Sequence, residues 1–139
     1  MSRDGEKLHL ELYAGDFSNM TELLSSYIQS VWTSGSQSVV VDWRTTAQDL
    51  FSIFASLSPG QRSFVNYTDR KVVLSDGLNR KAIAHEIGHV LGFNDNYFEI
   101  WDESHCECQH QFREDDIMSN HSSGSVTPEE WGTLTRTYP

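Results

Sequence analysis

An α+β fold is predicted: a twisted mixed β-sheet with a backing helix, a second central helix, and a small irregular C-terminal part that ends in a helix. Three observations carry this reading. Leu8 to Tyr13 alternates apolar and polar residues, whereas two later stretches repeat apolar residues at helical spacing. Residues 93–120 then show little periodicity before a terminal segment with a strong helix-start signal.

In "LHLELY", Leu8, Leu10 and Leu12 fall on one side and His9 and Glu11 on the other, the pattern of a half-buried strand. Ser18 or Asn19 can cap a helix running to about Trp32, with Leu23, Leu24, Tyr27, Ile28 and Val31 as its apolar stripe. "TSGSQS" is a loop by composition, and the β-branched "VVVDW" from Val39 to Trp43 is a second strand. "AQDLFSIFASLSPGQ" suits a helix or a short strand and stays open. "RKVVLSD" is a further strand and "DGLNR" a turn into the next helix. That helix starts at an Asn79 cap, runs from Arg80 to Leu91 and stops at Gly92. At the end of the chain Thr127, Pro128 and Glu130 occupy the cap, first and third positions of a capping box.

The 139 residues suit one compact domain, with residues 1–92 as an upper sheet and helix part and 93–139 as a lower part. A monomer is expected. Hydrophobic residues make up 37% of the chain, so a packed core rather than disorder is expected. The net charge of -10 argues against a nucleic-acid partner, because tracking phosphates needs clustered Lys and Arg. No apolar run is long enough to span a bilayer. "MSRDGEKLHLEL" has no basic stretch followed by an apolar one; secretion as the mature domain of a longer precursor is expected, with an intracellular or effector-delivered protein as the alternative.

"AIAHEIGHVLGFNDNY", Ala82 to Tyr97, carries the chemistry. On the helix, Ile83, Ile87, Val90 and Leu91 form one face, and His85 and His89 project together from roughly the opposite one. One helical turn between two imidazoles brings both within reach of one metal ion, while Glu86 can touch a water on that ion. Zinc needs at least a third protein ligand. Gly92 lets the chain turn sharply, and Asp95 can then swing back to offer a carboxylate oxygen.

The resulting HExxHxxGxxD pattern resembles the metzincin metallopeptidases, in which the third ligand is usually histidine. With aspartate there and Tyr97 two residues later, it looks like the snapalysin family of small secreted zinc proteases. "DIMSN" strengthens the resemblance, since metzincins place a methionine in a tight turn beneath the zinc and Met118 fits that role. The resemblance implies a metzincin-like fold and zinc-dependent endoproteolysis of a protein or peptide bound in extended form, with an apolar or aromatic side chain after the cut. It also implies His85, His89 and Asp95 as ligands and Tyr97 near the oxyanion. Glu86 would act as general base and then acid. A protease toxin or effector acting on one host protein, and a zinc-stabilised binding module without turnover, are the alternatives.

Snapalysins have cysteines on both sides of the methionine turn. Here Cys106 and Cys108 both precede Met118, and a bond between residues so close would be strained. His105, Cys106, Cys108 and His110 are metal-binding residue types whose spacing fits no standard zinc knuckle, and a solvated loop is the expectation. Acidic loops leave room for calcium without a specific ligand pattern.

Overall fold

The computed structural model describes residues 1–75, 77, 79–111 and 113–139, with the side chains of Phe98, His110 and Gln111 outside the description. Alternation in the first third of the chain produces the sheet. Leu8, Leu10 and Leu12 are all buried on β2 (Lys7–Tyr13), while Lys7 is exposed and the other residues between them are partly so. Each such leucine contributes about 1.5–3 kcal/mol relative to leaving it in water. β2 lies parallel to β4 (Gln37–Arg44) on one side, and on the other pairs antiparallel with β1 (Ser2–Asp4) and parallel with β5 (Phe51–Ala55). β5 pairs parallel with β7 (Lys71–Leu74), and β6 (Phe64–Asn66) runs antiparallel to β7. With the short β3 (Thr33–Ser34) beside β4, the order is β3-β4-β2-β5-β7-β6, so β6 forms one edge.

The open stretch after Ala47 is thus a strand, β5. Its Ile53 is fully buried, and parallel pairing on both sides decides its type where the local pattern could not. The first long helix, α1 (Thr21–Val31), begins later than Ser18 or Asn19. Gly15–Phe17 forms a 3-10 turn, Met20 N–H donates to Phe17 O at 2.9 Å, and Met20 takes the cap position without a side-chain bond. Leu24 and Ile28 of the expected stripe are fully buried and Tyr27 and Val31 half-buried, whereas Leu23 is exposed; α1 packs on β4 and on the second helix, α2 (Arg80–Val90).

The expected irregular region contains order. β8 (Phe98–Asp102) and β9 (Glu107–Gln111) form an antiparallel hairpin with Trp101 opposite Cys108. The last helix, α3 (Pro128–Thr137), has the capping box read from sequence: Thr127 Oγ1 accepts from Glu130 N–H at 3.3 Å, and Glu130 Oε2 accepts from Thr127 N–H at 2.6 Å. Trp32 joins the layers. Its indole stacks on Phe93 at 5.7 Å, meets Trp131 of α3 edge-on at 6.5 Å, and donates from Nε1 to Ala84 O of α2 at 2.8 Å.

Candidate metal centre

α2 is held at its start by Asn79, whose side-chain oxygen accepts from Lys81 and Ala82 N–H at 2.8 and 3.3 Å. Such a cap is worth about 1 kcal/mol. Ile83, Ile87, Val90 and Leu91 are buried, as their spacing predicts. One turn apart, His85 and His89 stand with ring centroids 4.8 Å from each other.

Each imidazole is oriented from behind. His85 Nδ1–H donates to Ile117 O and His89 Nδ1–H to Phe93 O, both at 2.9 Å. With Nδ1 carrying the proton, Nε2 of each ring presents a lone pair forward, the state a metal ligand needs. Burial, the largest cause, together with the neighbouring His89, holds His85 below the usual imidazole range and so favours that neutral form.

After α2 the chain turns back at Gly92, whose φ of +101° is one that residues with a side chain rarely adopt. Gly92 N–H bonds His89 O and Phe93 N–H bonds Gly88 O, each at 3.0 Å. Asp95 thereby returns over the histidines, its Oδ1 3.2 Å from His85 Nε2 and 3.4 Å from His89 Nε2. Atoms on a tetrahedral zinc with bonds of ~2.05 Å stand ~3.3 Å apart. The donor set of two imidazole nitrogens and one carboxylate oxygen therefore fits zinc in chemistry and spacing. Among the described residues, this is the one group of three or more His, Cys, Asp and Glu side chains close enough to share an ion.

Glu86 lies beside these groups and is 6% exposed. Burial first, and the Asp95 charge second, push its carboxyl up to about 7. The Asp95 charge, ahead of burial, raises the Tyr97 hydroxyl and keeps it protonated. Met118 lies beneath α2, where a Cβ on Gly88 would come 2.2 Å from its sulfur. Only a glycine leaves room for this approach.

The structure thus brings together His85, Glu86, His89, Asp95 and Tyr97 around one cleft, with Met118 under its floor. The sequence reading missed three further cleft residues. Tyr67 donates its hydroxyl to His89 O at 3.1 Å, the His121 ring sits 5.8 Å from that of His85, and Arg62 approaches from the loop before β6. His121 follows Met118 by three residues, which was a local hint; Tyr67 and Arg62 arrive through tertiary pairing alone. Cys106 and Cys108 are free and exposed on the hairpin, away from this group, and His105 Nδ1 pairs with Asp102 Oδ2 at 2.8 Å. The His110 side chain, and part of the turn read at "DGLNR", lie outside the described residues.

The α+β fold is similar to that of the solved structure of myroilysin, with a TM-score of 0.57. The match covers 99% of this chain and 94% of that one at 12% sequence identity, so the likeness is one of fold. No family model and no curated protein matches the sequence. Among the described residues, no helix is long and apolar enough to cross a membrane.

Proposed function

We propose that the protein is a zinc-dependent metalloendopeptidase of the snapalysin-like type, with His85, His89 and Asp95 holding the zinc. The observation that carries this reading is the convergence of one Asp95 oxygen on both Nε2 atoms at 3.2 and 3.4 Å, beside a buried glutamate. Bound there, zinc would supply a Lewis acid toward water and toward the carbonyl of the bond to be cut.

The remaining steps belong to the chain's own groups. Glu86 takes the proton from the attacking water and returns it to the departing amine nitrogen; a carboxyl near 7 suits both directions of transfer. Tyr97, 47% exposed and protonated, offers its hydroxyl to the oxyanion that develops on the carbonyl oxygen. The backbone of β6 at the sheet edge flanks the cleft, with Phe64 and Val65 in its wall. A substrate peptide lies extended along this edge and adds to the sheet through main-chain bonds. The protease acts as a monomer and is secreted.

Cleavage of an unstructured protein, measured with and without a chelator, tests the reading. Cleavage should stop with chelator and return with zinc. Bound zinc without cleavage of any unstructured protein would replace the protease with a zinc-stabilised binding module.

A further inference from the structure

The hydrogen bonds around Asp116 tie the loop carrying Asp95 to the methionine turn. Asp116 is 1% exposed, and both its carboxylate oxygens are in use. Oδ1 accepts from Met118 N–H at 2.8 Å, and Oδ2 accepts from the Asn96 side-chain amide at 2.6 Å. Asn96 N–H also donates to Met118 O at 2.9 Å. Met118 and Asn96 are therefore joined directly and again through Asp116.

The turn around Asp116 is itself firmly held. Its backbone oxygen accepts from Ser119 and Asn120 N–H at 3.1 and 2.8 Å, and Ile117 N–H donates to Ser125 O at 2.9 Å. A Cβ on Gly124 would stand 2.3 Å from Asp116 O, so the segment that clamps the turn approaches as closely as glycine allows. The neighbouring Ile117 carbonyl orients His85. Asp95, by contrast, sits on an exposed loop, immediately before Asn96.

We propose that Asp116 is a positioning residue for Asp95, acting through Asn96 to hold the third ligand at zinc-binding distance from the two histidines. This rests on the metal-centre reading above and deepens it. Asp116 accepts one N–H donor on each carboxylate oxygen. An asparagine at 116 could still bond Asn96 once that amide turned over, whereas an aspartate at position 96 would set a second carboxylate against that of Asp116 with no hydrogen to join them. Without that bond Asp95 keeps a single backbone tether to the turn, and a displacement of ~1 Å is enough to spoil a ligand constellation.

The polarity of the bond can be reversed, and this supplies the test. Zinc dissociation constants, from competition with a chromogenic chelator well below the melting temperature, are compared for wild type, Asn96→Asp, and the swap Asn96→Asp with Asp116→Asn. Asn96→Asp should weaken zinc binding about 10- to 100-fold. The swap, which places the amide donor on the turn and the accepting carboxylate on the loop, should restore most of that loss. A variant that melts lower in the metal-free state yet binds zinc as wild type does, or a swap no better than the single change, would overturn the proposal. Should Asn96→Asp fail to fold, Asn96→Ala removes the same bond without adding a charge and should show the same loss. His89→Ala separates the underlying reading: if it binds zinc as tightly as wild type, the metal centre itself is misplaced, and the proposal fails with it.

Discussion

Replacing Gly88 by alanine tests the packing of the methionine turn under α2 by a change of sign. The new Cβ would stand 2.2 Å from Met118 Sδ, 3.0 Å from its Cε and 3.1 Å from Trp32 Cζ2. Carbon contacts settle at ~3.5–4.0 Å, so the sulfur must retreat by more than ~1 Å inside a site where Met118 is 1% exposed. Overpacking of this kind costs about 1–3 kcal/mol. Alanine in place of glycine in a helix returns about 1 kcal/mol. Gly88→Ala should therefore lower stability by up to ~2 kcal/mol in the wild type. In a Met118→Ala background the sulfur is gone and only the 3.1 Å approach to Trp32 Cζ2 remains, which the vacated space lets relax by a few tenths of an ångström, so the same change should be neutral or stabilising by up to ~1 kcal/mol. Denaturant unfolding of the four metal-free proteins measures the coupling, predicted at ~1–3 kcal/mol. An equal effect of Gly88→Ala in both backgrounds would refute the packing argument.

Two more predictions concern pH and metal. Glu130, 7% exposed, is pushed up to about 7, by burial first and then by the charge of buried Asp116. The native state therefore holds a proton that the unfolded chain, at its ordinary value of 4.5, releases, so stability falls as pH rises from about 4.5 to 7 and levels off above. The full shift corresponds to at most ~3 kcal/mol. Glu130→Gln, which keeps an acceptor for Thr127 N–H, should make this part of the melting temperature against pH less steep, leaving the slope that Glu86 contributes over the same window; an unchanged slope would show that Glu130 does not titrate there. Zinc at ~1,000-fold excess over its dissociation constant should stabilise the protein by about 4 kcal/mol. A chelator should abolish this increment, and most of it should vanish in His89→Ala; calorimetric melting with an undiminished increment in that variant would argue for a different site.

The parts of this protein legible in its sequence are those in which cause and effect are local. The Asn79 cap, the paired histidines, the Gly92 reversal and the Thr127–Glu130 capping box each lie within a few residues, and each forms as its local pattern predicts. The cap of α1 differs from the expected Ser18 or Asn19 because the 3-10 turn at Gly15–Phe17 uses up the residues before Met20. β5 is ambiguous in sequence because five apolar-rich residues satisfy either period until parallel partners appear on both sides. The β8–β9 hairpin is invisible there for another reason: Ile100 and Trp101 are neighbours on opposite faces and both are exposed, so no buried face imposes an alternating pattern. Asp95 can be read as the third ligand from spacing and resemblance. Its support by Asn96 and Asp116 cannot, because those residues are twenty positions apart in the chain.

The central claim is that Glu86 performs the proton transfer at a zinc held by His85, His89 and Asp95. Turnover of an unstructured protein by Glu86→Gln and by wild type, each with its zinc content measured to equal occupancy, tests it most directly. One bound zinc is predicted in both proteins, with a loss of at least ~100-fold in rate for the variant. Equal rates at equal zinc occupancy would contradict the claim.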